Sequence, residues 1–125
     1  MPWQADANSH AGFSEAKPWL PLPDVHAERS VDAQDGDPDS VLSFTREAIA
    51  LRNSSPALRH GTIRFEGDGD LLVFDRTHEG ETRRCVFNLT AEPLPYTGPA
   101  DAALHIGDAA SDGTVPAWSG FIGPA

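Results

Sequence analysis

The chain has 125 residues, enough for one modest domain, and its eleven glycines and eleven prolines commit much of the backbone to loop and turn. Its 19 acidic residues against 9 basic leave a net charge of −10, which excludes a nucleic-acid face and an anionic membrane surface. The single cysteine, Cys85, excludes an internal disulfide; with no apolar run near about 18 residues and no N-terminal basic-then-apolar stretch, a cytoplasmic protein is expected.

Residues 1–36 form an arm without a regular period. Pro18, Pro21 and Pro23 forbid regular helix or central strand here. Yet Trp3, Phe13, Trp19 and Leu20 are too apolar for a solvated tail. A loop that carries such side chains packs them on a scaffold. Nothing else in the chain is large enough to host it, so the arm is expected to be mobile or packed against another molecule.

Asp37 to Asn53 reads as a helix. Pro38 suits a first helical position, with Asp37 or Ser40 as cap and Asp37 and Asp39 at the positive end of the dipole. Val41, Leu42, Phe44, Ala48, Ile49 and Leu51 cover about half of the helical wheel, a wide arc suited to contact with two bodies. Arg52 is expected to bond the last carbonyls while its stem packs. Pro56 ends the run, because the residue before a proline avoids the α region.

Residues 57–125 read as an antiparallel β-domain. Thr62–Glu66 alternates, Asp70–Thr77 is apolar on both faces, and Thr82–Leu89 alternates through Cys85, Phe87 and Leu89. Gly67-Asp68-Gly69 and His78-Glu79-Gly80 supply the two turns. Weaker strands follow at Ala103–Gly107 and Pro116–Ile122. A six-strand sandwich or small barrel is the expected outcome.

The residues offer no self-contained catalytic set. Asp35, Asp37 and Asp39 have the opening spacing of a calcium loop, but Ser40 stands where glycine is needed and Arg46 where the bidentate glutamate is needed; helix capping explains them. The histidines His10, His26, His60, His78 and His105 have no partner at ligand spacing, so no metal site and no cofactor are expected. Cys85, on a strand, reads as an inert buried thiol. Glu66, Asp68, Asp70, Glu79 and Glu81 fall on hairpin turns and read as solvated. Asn53-Ser54-Ser55 and Asn88-Leu89-Thr90 match glycosylation acceptors but read as a helix stop and a strand end.

Several runs together resemble the α-amylase family of glycoside hydrolases, and within it the α-glucosidases and oligo-1,6-glucosidases. Met1-Pro2-Trp3, Ala11 to Ser14 and Pro18 to Pro21 resemble, in that order, the loop after the eighth barrel strand. Asp39 to Leu42, Ala50 to Arg52 and Pro56 to Leu58 resemble the eighth helix and its exit; the β-meander with Val86 to Thr90 resembles the C-terminal β-domain.

The resemblance implies an α+β fragment. Residues 1–56 would be the end of a catalytic (β/α)8 barrel, and 57–125 an antiparallel C-terminal sandwich. It implies a retaining mechanism in which an aspartate attacks the anomeric carbon and a glutamate protonates the leaving oxygen. Those groups lie on earlier barrel loops, so this chain is expected to hold no catalytic residue. The rest of the barrel would be its partner, and an oligosaccharide its substrate only in that setting, with Trp3 and Phe13 as candidates for the substrate mouth. Two alternatives stand beside this reading. One is a free carbohydrate-binding β-module that stacks sugars on Trp118, Phe121 and Tyr96. The other is a homodimer through the exposed arm.

Overall fold

The computed structural model describes residues 1–66 and 69–125, so the expected turn at Gly67-Asp68 lies outside the described residues. The chain divides into two compact units, Met1–Glu47 and Ala48–Ala125.

In the first unit the arm is organised by its own hydrogen bonds. The amides of Trp3 and Gln4 both donate to the Ala11 carbonyl, at 2.7 and 3.1 Å, so the chain doubles back on itself. Ala11 is buried, and the reversal runs through three residues of positive φ, His10 at 50°, Ala11 at 54° and Gly12 at 71°. The positive φ at Gly12 favours glycine, and a side chain there would also displace the exposed Gln4 side chain, 2.9 Å away. The amides of Val31 and Asp32 then donate to the carbonyls of Pro2 and Trp3. Where no regular helix was expected, the arm contains a 3-10 turn, Ala7–Gly12, and two single-turn helices, α1 (Val25–Glu28) and α2 (Val31–Gln34). The proline segment from Pro18 to Pro23 has no helix or strand.

Helix α3 runs from Val41 to Ser54 and begins four residues later than expected. Pro38 instead occupies a turn closed by the Ser40 amide on the Asp37 carbonyl at 3.2 Å, with Asp37 Oδ1 accepting from the Asp39 amide. Ser40 is the cap: its carbonyl accepts from Phe44, and its Oγ accepts from the Ser43 amide. At the far end Ser54 Oγ, and not Arg52, bonds the Leu51 carbonyl. No residue of this 14-residue helix is buried; Val41 is 75% and Ile49 54% exposed. Ser55 then caps a short α4 (Pro56–His60), accepting from the Leu58 amide with Pro56 in the first turn.

The second unit is a five-stranded antiparallel sheet ordered β1-β2-β3-β7-β5 and a small β4-β6 pair. The strands are β1 (Thr62–Glu66), β2 (Leu71–His78), β3 (Glu81–Asn88), β4 (Leu94–Pro95), β5 (Leu104–Ile106), β6 (Thr114–Val115) and β7 (Gly120–Pro124). Register sorts the side chains into two faces. On the inner face Val73 lies opposite Val86, and Val86 opposite Phe121. Val86, Val115 and Phe121 form the buried core, with Leu71, Tyr96, Ala102 and Ala110 against it. On the outer face Phe65 pairs with Phe74, Phe74 with Cys85, and Cys85 with Ile122. That face is left open at its edge: Ile63 is 47% and Phe65 61% exposed.

Two polar clusters lock the sheet. Arg84 clasps Asp75 through Nε and Nη2 at 2.9 and 2.8 Å and reaches Glu66 at 2.9 Å, tying three strands together. Glu66 and Glu81 are therefore not solvated turn residues; both carboxylates are engaged by arginine. Asn88 is fully buried at the end of β3. Its Nδ2 donates to the carbonyls of Glu92, Val115 and Pro116, and its Oδ1 accepts from the Thr90 amide and hydroxyl. This matches its reading as a strand end.

Candidate functional site

The arm forms an open cavity of about 510 Å³ between its N-terminal residues and the proline run. Phe13, Trp19, Leu20 and Pro21 supply its apolar wall; Lys17 and His26 are its charged or titratable groups. Among the described residues no carboxylate side chain lines it. Trp3, half exposed at 50%, does not line this cavity, so the structure brings Phe13 together with Trp19 and leaves Trp3 apart. The sequence reading named Trp19 only as an apolar arm residue. At 90% exposure it is the most open of the large apolar side chains, held between Pro18 and Pro21. Its signal was the density of prolines around one indole.

Asp32 staples the arm. Its Oδ1 accepts from Ser30 Oγ at 2.6 Å and its Oδ2 from the Ala5 amide at 3.1 Å. The Ser30 hydroxyl first and the Ala5 amide next hold its carboxyl below the usual range. Its partners come from both ends of the arm, so its role is positional.

The second unit carries a groove of about 260 Å³ on its outer sheet face, beside the C-terminal half of α3. Leu58, Phe74, Phe87 and Ile122 make its floor and sides, and Arg52 and Arg76 are the charged residues that line it. Cys85 is buried below, and burial pushes its thiol up to about 11, so it is a poor nucleophile near neutral pH.

The residues suggested for sugar stacking separate. Phe121 is 1% exposed and belongs to the core, and the Tyr96 ring lies edge-on to it at 5.6 Å. Phe121 cannot present a face to a sugar, which removes it from that set; Tyr96 is half-buried, and Trp118 is 65% exposed at a backbone φ of 53°. Among the described residues no group of three or more His, Cys, Asp or Glu side chains is placed to hold a metal ion, and no helix is long and apolar enough to cross a membrane.

Comparison with known proteins matches both halves of the chain. Residues 1–61 match the family described as "Alpha amylase, catalytic domain", and residues 58–122 match "Domain of unknown function (DUF3459)". A "Probable alpha-glucosidase" of Rhizobium meliloti (strain 1021) is 38% identical over 119 residues, which is 89% of this chain and 22% of that protein. The "Oligo-1,6-glucosidase" of Halalkalibacterium halodurans is 30% identical over 82% of this chain and 19% of its own length. Among solved structures, the trehalulose synthase MutB from Pseudomonas mesoacidophila MX-45 superposes with a TM-score of 0.79 at 32% identity, covering 97% of this chain and 24% of that one. The chain thus spans about a fifth of the length of the curated relatives it matches.

Proposed function

This chain belongs to the α-amylase family of glycoside hydrolases, and from that premise we propose that it serves as the C-terminal portion of an α-glucosidase-type enzyme acting on small oligosaccharides. In this reading the chain is non-catalytic by itself. The acid pair that attacks the sugar and protonates the leaving oxygen comes from other loops of the barrel. The arm sits at the barrel rim, with Phe13 and Trp3 toward the substrate mouth. Helix α3 and the outer sheet face cover the barrel wall and stabilise it.

The observation that carries the reading is the helix. A 14-residue amphipathic helix without one buried residue is not stable on its own terms, because most helical stability comes from packing an apolar face. The open outer face with Ile63 and Phe65 has the same need. Both needs are met by a large body of the kind the family relationship supplies.

The test replaces the corresponding fifth of the Rhizobium meliloti relative with this chain. The chimera is expected to fold and to hydrolyse an aryl α-glucoside, whereas the same relative cut short aggregates and the 125-residue chain alone is inert. Hydrolysis by the chain alone, abolished by substituting its own carboxylates, would overturn the proposal.

A further inference from the structure

The outer groove contains an unanswered charge. Among the described residues Arg76 Nε is buried without a hydrogen-bond partner, and the half-buried side chain makes no ion pair. The other two arginines of the central strands behave differently. Arg84 has Asp75 and Glu66, and Arg83 has Glu81 at 2.8 Å. Arg76 lies directly opposite Arg83 in the β2–β3 register, so its nearest cross-strand neighbour carries the same charge. Arg52 lines the same groove from α3. In a chain with 19 acidic residues, the groove is lined, among the described residues, by two arginines and by no carboxylate.

A buried cationic nitrogen over an apolar floor is costly unless an acceptor reaches it, and a charged acceptor offsets the cost best. We propose that this groove receives a carboxylate side chain from the wall of the catalytic barrel, with Arg76 as its direct partner and Arg52 as its flank. The proposal rests on the reading that the outer sheet face docks on the barrel, and it adds the chemistry of the contact. The barrel segment that enters is apolar where it meets Phe74, Phe87 and Ile122, and it carries an Asp or Glu where it meets Arg76. Charge complementarity selects this occupant. The open chain is otherwise acidic, so the arginine-lined groove is where an acidic segment gains and a basic one is refused.

The experiment uses the chimera with the Rhizobium meliloti relative and compares Arg76→Gln with Arg76→Glu. The two side chains have nearly the same shape and differ in charge. Opposite a carboxylate, R76E melts several degrees below R76Q, and R76K retains much of the wild-type stability. Without a carboxylate, Glu between Arg52 and Arg83 is as good as Gln or better, and R76E melting at or above R76Q overturns the proposal. A wild-type chimera no more stable than the shortened relative means that the docking reading has failed, and this inference with it. A chimera that gains stability while R76Q keeps all of it leaves docking standing and removes the carboxylate alone. Sedimentation of the 125-residue chain at high concentration covers the remaining occupant. A dimer that R76Q dissociates assigns the groove to a second copy and overturns the barrel as partner.

Discussion

Ser55 Oγ donates to Glu81 Oε1 at 2.7 Å across 26 residues of chain, joining the helix exit to the start of β3. The same carboxylate accepts from the Ala57 amide at 3.0 Å and from Arg83 Nε at 2.8 Å. The cap of α4 is thereby fixed to the sheet, and Ser55 and Ala57 are both fully buried.

This contact gives a pH dependence with a definite sign. The Ala57 amide, then Ser55 and Arg83, hold the Glu81 carboxyl below its ordinary value of 4.5. A depressed folded value stabilises the fold above the unfolded value and loses that contribution as pH falls through the folded one. Denaturant midpoints measured from pH 6 downward are expected to fall below about 4.5, with Glu81→Gln flattening that fall. Parallel curves for wild type and E81Q would refute the assignment.

Asn88 is expected to be among the most sensitive polar positions. Asn88→Ala strands the buried carbonyl of Val115 and the half-buried one of Pro116 and frees the turn at Thr90. The expected cost is roughly 3 kcal/mol, the scale of leaving buried polar groups unpaired. Urea unfolding monitored by circular dichroism reads it. A loss under about 1 kcal/mol would mean that water replaces the amide without penalty.

The two aromatic residues near the end of the chain have opposite roles. Phe121→Ala removes a buried core ring and should cost about 3–5 kcal/mol. Trp118 is exposed, and its positive φ is strained for a bulky residue. Trp118→Gly relieves that strain and is expected to leave stability unchanged or raise it by up to about 1 kcal/mol. Equal losses at both positions in thermal melts would contradict this division.

Cys85 should resist labelling. Burial first, and the Asp75 charge with it, raises its thiol, while Arg76 works the other way. At pH 7.5 a maleimide is expected to modify the folded chain far more slowly than the urea-unfolded chain, followed by mass spectrometry. Comparable rates would show that the outer face opens readily.

How far the sequence disclosed this arrangement depends on the range of each interaction. Strands β1 and β3 and helix α3 were legible because their periods repeat locally, and β2 because Leu71 to Phe74 is an unbroken apolar run. Helices α1 and α2 were not, since four residues contain no period to read. Pro38 misled because a proline that suits the first helical turn suits a β-turn equally well. Glu66 and Glu81 looked solvated because their partners Arg84 and Ser55 lie 18 and 26 residues away. Phe121 was offered to a sugar only in the alternative reading; its burial follows from its register opposite Val86, a pairing 35 residues away in sequence that leaves no local signal. Of the arm, Phe13 and Trp3 were named through the family resemblance, whereas the backbone bonds that tie Trp3 and Gln4 to Ala11 leave no local pattern.

The strand order has a consequence for synthesis. β7 lies between β3 and β5, and among the described residues β5 pairs with no other strand of the sheet. As the chain emerges from a ribosome, β1, β2 and β3 can form a sheet early, since their turns are short. Leu104–Ile106 must wait without a neighbour until Gly120–Pro124 has been made. During that interval the β3 edge stands open beside Cys85 and Phe87, and this is when the nascent chain is most exposed to pairing with the wrong strand.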